Sequence, residues 1–401
     1  MLPSFAAFIQ HHCRHMREYI TIKNIGPLKD IQGLSIQPFT VLIGESACGK
    51  STLMKLISMM RYLYKMANIR SYLKHSNVTS SPFRMRFDTM MKETGMHKML
   101  NASSVIRYQV VMDDSTEYEI LMENKKLSKL PVISPNHLMF GKVSYISENR
   151  NVIPTWAQKA SQNAGATLGF YFHETNNDFV RASAHDREIS LDYIGMKLQI
   201  THPKGKPTRY TIFPNDGRHE PIDLRDASSG VQTSASVALI VKDYARADGF
   251  SFKDAFKRSV LNYLYDMERL NKFNAVMEPS DLSKKVYIHI EEPELSLFPN
   301  AQCKLVEEII LAAAHAEENR ELHLMLATHS PYILNYLNVL LNQTNPARAQ
   351  LSRANTAVYR IYEGEVQDLL VQNERGRWIV DTYDLSELMG SIYNEFVALD
   401  V

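Results

Sequence analysis

Residues 41–52 read Val41-Leu42-Ile43-Gly44-Glu45-Ser46-Ala47-Cys48-Gly49-Lys50-Ser51-Thr52, an apolar run followed by a glycine-bounded loop. The spacing G-x-x-x-x-G-K-S is the phosphate-binding loop pattern, which requires a strand before the loop and a helix after it. Glycine allows backbone conformations that a Cβ disfavours, so successive N–H groups can point at phosphate oxygens. The N-terminus of the helix adds the positive end of its dipole. The stretch therefore predicts a nucleotide site.

The pattern also predicts what each side chain of this loop does. Lys50 is expected to reach the β- and γ-phosphates of ATP, and the Ser51 hydroxyl is expected to ligate Mg²⁺. The residues assigned to ATP binding in this segment are Gly44, Glu45, Ser46, Ala47, Cys48, Gly49, Lys50, Ser51 and Thr52.

Composition places the chain among ordinary globular proteins. Its 401 residues allow one to three domains. A net charge of +1 gives no global reason to expect a nucleic acid or an anionic membrane as partner. The three cysteines fit neither a disulfide framework nor a zinc site, and no apolar run is long enough to cross a bilayer. These features predict a cytoplasmic protein without a membrane partner.

Hydrophobic periodicity gives a coarse order of elements along the chain. Strands are predicted at 19–28, at 34–40 continuing to 43, and at 105–111, 118–122, 142–148, 196–201, 209–213, 285–290, 322–327 and 357–362. Helices are predicted at 52–66, 228–244, 254–271, 302–314 and 385–399. Residues 67–104 could be helical, and the polar stretch 151–225 is interpreted as an inserted lobe.

A pair of carboxylates follows the buried strand predicted at 285–290, where the chain reads Glu291-Glu292-Pro293-Glu294. Ligands of open α/β sheets bind at the carboxyl ends of such strands. One carboxylate would hold Mg²⁺ or its water, and the next would polarise the water that attacks a phosphate. The alternative is an acidic turn at the surface. Acidic turns after strands are common, but an apolar strand that ends in paired carboxylates is not, and this favours the functional interpretation.

Two further segments have a functional and an ordinary explanation. His329, after the strand at 322–327, could bond the γ-phosphate or the attacking water, although a lone histidine there is more often structural. Ser228, Ser229 and Gly230 open a helix and could bind an anion, although an ordinary serine N-cap is favoured if the segment is taken alone.

Taken in order, the segments GESACGKS, YISE, SSGVQ, VYIHIEEPE and ATHSP resemble the head of an ABC-type ATPase. The resemblance is to the soluble branch that includes RecF, the SMC proteins and the OLD-type ATPases. Within it, EEPE, LSLFP and ATHSPYIL are most similar to ATPases of bacterial phage-defence systems, such as OLD-like nucleases and the ATPase subunits of PARIS and Septu. The matching parts are 16–60, 140–150 and 225–340.

The resemblance implies a role for each matching residue. Glu148 stands at the Q-loop position, which is more usually Gln, and Glu291 stands where the Mg²⁺ partner is often Asp. Glu292 corresponds to the catalytic carboxylate and His329 to the switch histidine. The segment 228–230 corresponds to the signature that caps the γ-phosphate bound by the opposite subunit. Candidate metal ligands are therefore Ser51, Glu291 and Glu148.

The implied fold is α/β. It is an ABC-ATPase head with a mixed P-loop sheet flanked by helices, an antiparallel β-subdomain and an inserted helical and polar lobe. The predicted divisions are an N-terminal extension at 1–15, an N-lobe with the P-loop at 16–150, an inserted lobe with the signature at 151–280, and a C-lobe with the Walker B carboxylates and switch histidine at 281–401.

The implied function is hydrolysis of ATP with Mg²⁺, coupled to self-association, since a composite site requires at least a dimer. No nuclease-like cluster follows His329, so a toxin or nuclease effector is expected on a separate polypeptide, with a phage-derived trigger as a further candidate partner. The alternative is a RecF- or SMC-like DNA-repair ATPase, although 61–140 and 245–275 lack sustained heptads. DNA binding stays open. A transporter subunit is disfavoured by the SSGVQ signature and the large insertion.

Overall fold

The computed structural model describes residues 16–78, 87–158, 169–185, 187–217, 220–261, 264, 273–317 and 320–399. The predicted extension at 1–15 and part of the helix predicted at 254–271 lie outside these ranges. No helix in the described part of the chain has the length and apolar character needed to cross a membrane.

The strands and helices follow the chain in this order. The strands are Met16–Ile25 (β1), Leu28–Ile36 (β2), Phe39–Ile43 (β3), Leu100–Met112 (β4), Glu117–Glu123 (β5), Lys126–Leu127 (β6), Met139–Ile146 (β7), Arg187–Leu191 (β8), Met196–Thr201 (β9), Arg209–Pro214 (β10), Ile222–Asp223 (β11), Ser283–Glu291 (β12), Arg320–Thr328 (β13), Thr356–Tyr362 (β14), Glu365–Asp368 (β15), Leu370–Gln372 (β16) and Trp378–Val380 (β17). The helices are Lys50–His75 (α1), Phe87–Glu93 (α2), Ile153–Gln158 (α3), Phe170–Ala182 (α4), Ser229–Ala245 (α5), Phe252–Phe256 (α6), Pro299–Ala314 (α7), Pro331–Asn342 (α8) and Tyr383–Leu399 (α9).

A mixed sheet with the order β15-β14-β3-β13-β12-β7 forms the centre of the molecule. All its neighbours pair in parallel except β14 and β15. Strand β3 is buried along its whole length, as expected for a parallel strand covered on both faces. The sheet joins strands from the predicted N-lobe and C-lobe.

Two antiparallel sheets lie beside the mixed sheet. One has the order β2-β1-β4-β5-β6 and corresponds to the predicted antiparallel β-subdomain; the other has the order β11-β10-β9-β8 and lies in the predicted insertion. The hairpin predicted at 105–111 and 118–122 is β4 and β5, and the strand pair predicted near 196–213 is β9 and β10. The predicted α/β class, with a mixed sheet and an antiparallel subdomain, is confirmed.

Helix α1 runs nine residues beyond its predicted end at 66. Asn68 and Ser71, which are disfavoured inside helices, are accommodated because their buried side chains bond to neighbouring segments. Asn68 donates to the Tyr64 carbonyl and accepts from the Met139 N–H at 3.0 Å. Ser71 donates to its own helix and accepts from the Ile133 N–H at 2.8 Å. Side chains that satisfy a neighbouring segment in this way stabilise a helix that propensity alone would end.

The strand predicted at 34–40 is in fact two strands in different sheets. β2 ends at Ile36 in the antiparallel sheet, and β3 begins at Phe39 in the mixed sheet. Between them, the Thr40 hydroxyl accepts from the Gln37 N–H and donates to the Gln37 carbonyl. The segment 67–104 is helical only in part, since α1 ends at His75, α2 spans Phe87–Glu93 and β4 begins at Leu100.

A buried ion pair connects α1 to both large sheets. Arg61 on α1 donates to both Glu18 oxygens on β1, at 2.8 and 3.2 Å, and lies 3.2 Å from His289 Nε2 on β12. The Tyr108 hydroxyl on β4 donates to Glu18 at 2.6 Å. Burial favours the protonated acid, but the Arg61 guanidinium and His323 outweigh it and hold the pKa of Glu18 well below its usual value.

Glu18→Gln should lower the free energy of unfolding by about 3 kcal/mol at pH 7, because it leaves the Arg61 charge buried without its partner. Because the folded-state pKa of Glu18 is depressed, this stabilisation is complete above its ordinary value of 4.5 and is lost as the pH falls below it. Urea unfolding at pH 7 and pH 4 measures the free energy of unfolding of the wild type and of Glu18→Gln. The difference between the two proteins should be smaller at pH 4 than at pH 7.

The matched control is Glu119→Gln, which removes an exposed pair with Arg107. We expect it to change stability by less than about 0.5 kcal/mol. Equal effects of the two substitutions would contradict a special role for the buried pair.

Candidate functional site

The loop between β3 and α1 has a backbone that only glycine fits at two positions. Gly44 has φ of 156° and Gly49 has φ of 115°. A Cβ at Gly44 would collide with the Ile361 carbonyl oxygen and lie 2.7 Å from Cys48 Sγ, and one at Gly49 would lie 2.7 Å from Leu28 Cδ2. The loop therefore has the close-fitting, glycine-dependent form that a phosphate cradle requires.

Lys50 folds back over this loop. Its ammonium donates to the carbonyls of Gly44 at 2.8 Å and Glu45 at 2.7 Å, and lies 3.8 Å from Cys48 Sγ. Burial lowers the pKa of Lys50, against the opposing effects of Cys48, Glu292 and Glu294. The loop crest, formed by Glu45, Ser46 and Ala47, is exposed. An anion would therefore meet a cation already held inside the loop.

The next two residues on α1 point to different surroundings. Ser51 is exposed, and a hydrogen bond from its side chain contributes to lowering the pKa of Glu291. Thr52 is buried, and its hydroxyl lies 3.9 Å from Met99 Sδ. Ser51 therefore faces the carboxylates at the sheet edge, whereas Thr52 packs against the turn that precedes β4.

Two carboxyl groups meet beside Ser51. A hydrogen bond shared with Glu291, together with burial, raises the pKa of Glu148 to about 7. Burial works against the charge on Glu291, but the Glu148 contact and the Lys55 ammonium, 3.6 Å away, outweigh it and lower the pKa of Glu291. In the described residues, the Oε2 atoms of both glutamates are buried, and no N–H or ammonium group bonds to them.

These residues fit a divalent cation of the Mg²⁺ type. Two buried carboxyl oxygens that no N–H or ammonium group of the described residues neutralises are good acceptors for a hard cation, and the Ser51 hydroxyl lies beside them. Mg²⁺ is commonly held by one or two carboxylates together with substrate phosphates. Within the described ranges, no group of three or more His, Cys, Asp and Glu side chains is arranged to hold a metal.

Glu292 and His329 lie at the ends of adjacent strands. Glu292 has φ of 45°, and its N–H donates to the Ala327 carbonyl at 2.7 Å. Its Oε1 lies 3.9 Å from His329 Nε2, and both side chains are more than one-third exposed. The Glu294 carboxylate accepts from the His329 N–H at 2.6 Å. The carboxylate and imidazole are thus paired yet open to a ligand.

The segment 228–230 begins α5 without using its serine as a cap. Ser228 occupies the N-cap position, but its side chain makes no capping bond, and both serines are exposed. A Cβ at Gly230 would collide with the Ser296 carbonyl oxygen. Among the described residues, neither serine side chain bonds to the P-loop. The helix N-terminus is therefore open to solvent.

The structure brings together the P-loop, Glu148, Glu291, Glu292 and His329. The pairs Ile43–Thr328, Glu291–Ala327 and Ile290–Ile146 put the carboxyl ends of β3, β13, β12 and β7 at one edge. Each of these candidate residues lies at one of these strand ends or directly after it. The exposed serines of α5 are the exception.

Sequence reasoning missed Lys55 and Arg150. Lys55 lies one turn after Ser51 on α1, so the i, i+4 spacing could have placed both on one face. Arg150 follows Glu148 in what reads as a polar turn, yet it is fully buried. It donates to the carbonyls of Ser147 at 3.0 Å and Glu291 at 2.7 Å. No local signal indicates that burial.

No protein-family model matches the chain, and no curated protein sequence does. Among solved structures it is similar to an SMC head bound to the C-winged helix domain of ScpA, with 10% identity over 90% of this chain and 98% of that chain and a TM-score of 0.35. It is also similar to the SMC head domain from Thermotoga maritima (10% identity, 90% and 100% coverage, TM-score 0.37). A third is the recombination mediator RecF with a bound ATP analogue (12% identity, 90% and 100% coverage, TM-score 0.34). Because these similarities are so weak, the function of this chain has to be inferred from the geometry of the site.

Glu148→Gln should remove a pH-dependent destabilisation. The pKa of Glu148 rises from 4.5 to about 7 on folding, so the folded chain holds more protons between these values and its stability falls as pH rises through them. At pH 8 the free energy of unfolding of the variant should exceed that of the wild type by about 1 kcal/mol, after solvent screening is allowed for.

Urea unfolding at pH 5 and pH 8 measures this difference. Glu365→Gln, at an exposed position on β15, is the control and should leave the pH dependence unchanged. A wild-type stability that does not fall between pH 5 and pH 8 would contradict the proposed pairing of the two carboxyls.

Proposed function

We propose that this chain is an ABC-type ATPase that binds ATP with Mg²⁺ and hydrolyses it to ADP and phosphate. The observation that carries the proposal is the shared sheet edge. There, four strand ends place a glycine-dependent loop, a pair of buried carboxyl groups and a carboxylate–imidazole pair beside one another.

The P-loop, from Gly44 to Thr52, would bind the phosphates through its backbone N–H groups. The Lys50 ammonium would exchange its bonds to loop carbonyls for bonds to phosphate oxygens. Ser51, Glu291 and Glu148 would hold Mg²⁺, which neutralises phosphate charge when bound. Lys55 would balance the Glu291 charge, since it lies 3.6 Å from that carboxylate.

Glu292 is the group best placed to accept the proton of the attacking water. Its carboxylate is exposed at the strand end and lies beside His329. The water would give its proton to Glu292 and its oxygen to the γ-phosphorus, and the bond to the leaving ADP oxygen would break. His329 would orient the water or the γ-phosphate from the other side.

The exposed start of α5 supports a site shared between two copies. Ser228, Ser229 and Gly230 offer two hydroxyls unused in capping and the free N–H groups of a 17-residue helix. In the described ranges, their side chains make no bond to the P-loop of their own chain. We infer that they cap the γ-phosphate of ATP held by a partner copy, so that ATP closes at least a dimer.

We further propose that this ATP-dependent association regulates a separate toxin or nuclease effector in cytoplasmic antiphage defence, in response to a phage-derived trigger. The support is the resemblance of EEPE, LSLFP and ATHSPYIL to phage-defence ATPases. Co-purification from the native operon, with the mass of the assembly measured with and without ATP, tests it. An assembly that never contains a second polypeptide would argue against the effector.

A DNA-repair ATPase of the RecF or SMC kind is the alternative. Duplex DNA bound by the ATP-loaded dimer, with an affinity that falls steeply as salt rises, would favour it.

Glu292→Gln should abolish turnover while ATP binding persists, because the variant keeps the shape of the side chain but not its basicity. We expect phosphate release to fall by at least about 100-fold. The variant should also accumulate as an ATP-bound dimer when its mass is measured by light scattering. Lys50→Ala, the control, should bind no ATP and stay in its ATP-free state. Unchanged phosphate release by the Glu292 variant would remove Glu292 from catalysis.

Mixing two inactive variants tests the shared site. Lys50→Ala damages the P-loop and Ser229→Arg blocks the signature, so each homodimer should be inactive. A mixed dimer has one site built from the intact P-loop of one chain and the intact signature of the other, and should recover part of the wild-type ATPase activity, at the rate of a single site that is not coupled to a second. No recovery in dimers shown to be mixed would contradict a site shared between copies.

A further inference from the structure

Arg150 is a fully buried arginine that donates hydrogen bonds to four main-chain carbonyls. It donates to Ser147 at 3.0 Å, Glu291 at 2.7 Å, Glu292 at 2.5 Å and Thr233 at 3.2 Å. Burial lowers its pKa to about 10, so it remains a cation at neutral pH. One planar group thus joins the turn after β7, the end of β12 and helix α5.

Thr233 extends this connection on the side of α5. Its hydroxyl contacts the carbonyls of Ser229 and Gly230 in its own helix, at 3.0 and 3.2 Å, and that of Leu295 in the loop after β12, at 3.0 Å. Helix α5, one turn after the exposed serines, is therefore connected to the chain at the end of β12 through Arg150 and through the Thr233 hydroxyl.

The backbone of Glu292 depends on these contacts. A φ of 45° is unfavourable for a residue with a Cβ and persists only when its surroundings hold it. The Glu292 N–H is held by Ala327, and its carbonyl accepts from Arg150. Movement of the guanidinium would therefore turn the peptide that aims the Glu292 carboxylate.

We propose that Arg150 is a positioning residue that couples the signature turn of α5 to Glu292, and so couples the two ATP sites of a dimer. This inference rests on the proposed function. The serines of one copy would contact ATP held by its partner, whereas Glu292 acts on ATP held by its own chain. Closure of α5 on the partner's ATP therefore adjusts the orientation of Glu292 in the other site and so raises the rate of that site.

The experiment compares Arg150→Lys, Thr233→Val and Arg181→Lys. Lysine keeps the charge of Arg150 but cannot reach four carbonyls in one plane. Valine removes the Thr233 hydroxyl, and with it the Leu295 bond, but keeps the carbonyl that accepts from Arg150. Arg181, the control, is a largely buried arginine on α4 that pairs with Asp243 and lies over the Tyr244 ring at 4.4 Å.

The measurements are the affinity for a fluorescent ATP analogue, kcat, KM and the Hill coefficient of ATP hydrolysis. Arg150→Lys should keep its affinity for the analogue within about 2-fold and lose about 100-fold in kcat, as expected for a misplaced catalytic group. Thr233→Val should keep most of its kcat. In both variants the Hill coefficient should fall to about 1 from a wild-type value between 1 and 2, the limit for two sites. Arg181→Lys should match the wild type in all four.

Unchanged kcat and Hill coefficient in folded Arg150→Lys would overturn the inference and leave the ATPase proposal intact. Equal losses in Arg150→Lys and Arg181→Lys would also overturn it, because they would show a general effect of buried arginines. If Arg150→Lys does not fold, Thr233→Val decides: a retained Hill coefficient overturns the inference. Wild-type protein that neither binds nor hydrolyses ATP would fail the proposed function and, with it, this inference.

Discussion

Parallel pairing of β12 with β13 and β7 determines where each functional carboxyl group can lie. The register puts Glu291 opposite Ala327 and Ile290 opposite Ile146, so the turns that follow three strands open at the same height. A slip of one residue would turn every side chain of a strand to the opposite face. One register therefore determines both which strand faces are buried and where the polar residues at the strand ends lie. The P-loop lies beside these residues because β3 pairs with β13.

Charge at this edge is balanced only in part, and the imbalance suits a nucleotide site. Lys50 is bonded to carbonyls, and no N–H or ammonium group in the described part of the chain bonds to the buried Oε2 atoms of Glu148 and Glu291. An anion would neutralise the lysine, and a cation would neutralise the carboxylates. ATP with Mg²⁺ supplies the anion and the cation in one ligand. Arg150 lies behind these groups and holds the main-chain carbonyls of Glu291 and Glu292 in place.

Local patterns predicted the elements well, and tertiary contacts account for what they missed. The glycine spacing of the P-loop and the apolar run before Glu291 depend on neighbours in sequence, so they could be predicted. The extension of α1 could not be, because Asn68 and Ser71 become acceptable in a helix only through bonds to Met139 and Ile133. The burial of Arg150 depends on carbonyls that are more than eighty residues away along the chain, so the sequence around Arg150 could not predict it.

The central claim is that one ATP lies between the P-loop of one copy and the signature of another. Cross-linking measures this directly, because Cys48 already lies in the P-loop and Ser229→Cys places a thiol at the signature. In a chain with Cys13 and Cys303 replaced by serine, a short bismaleimide should yield a covalent dimer on a denaturing gel only when ATP and Mg²⁺ are present. A dimer of equal yield without nucleotide, or none with it, would contradict the claim.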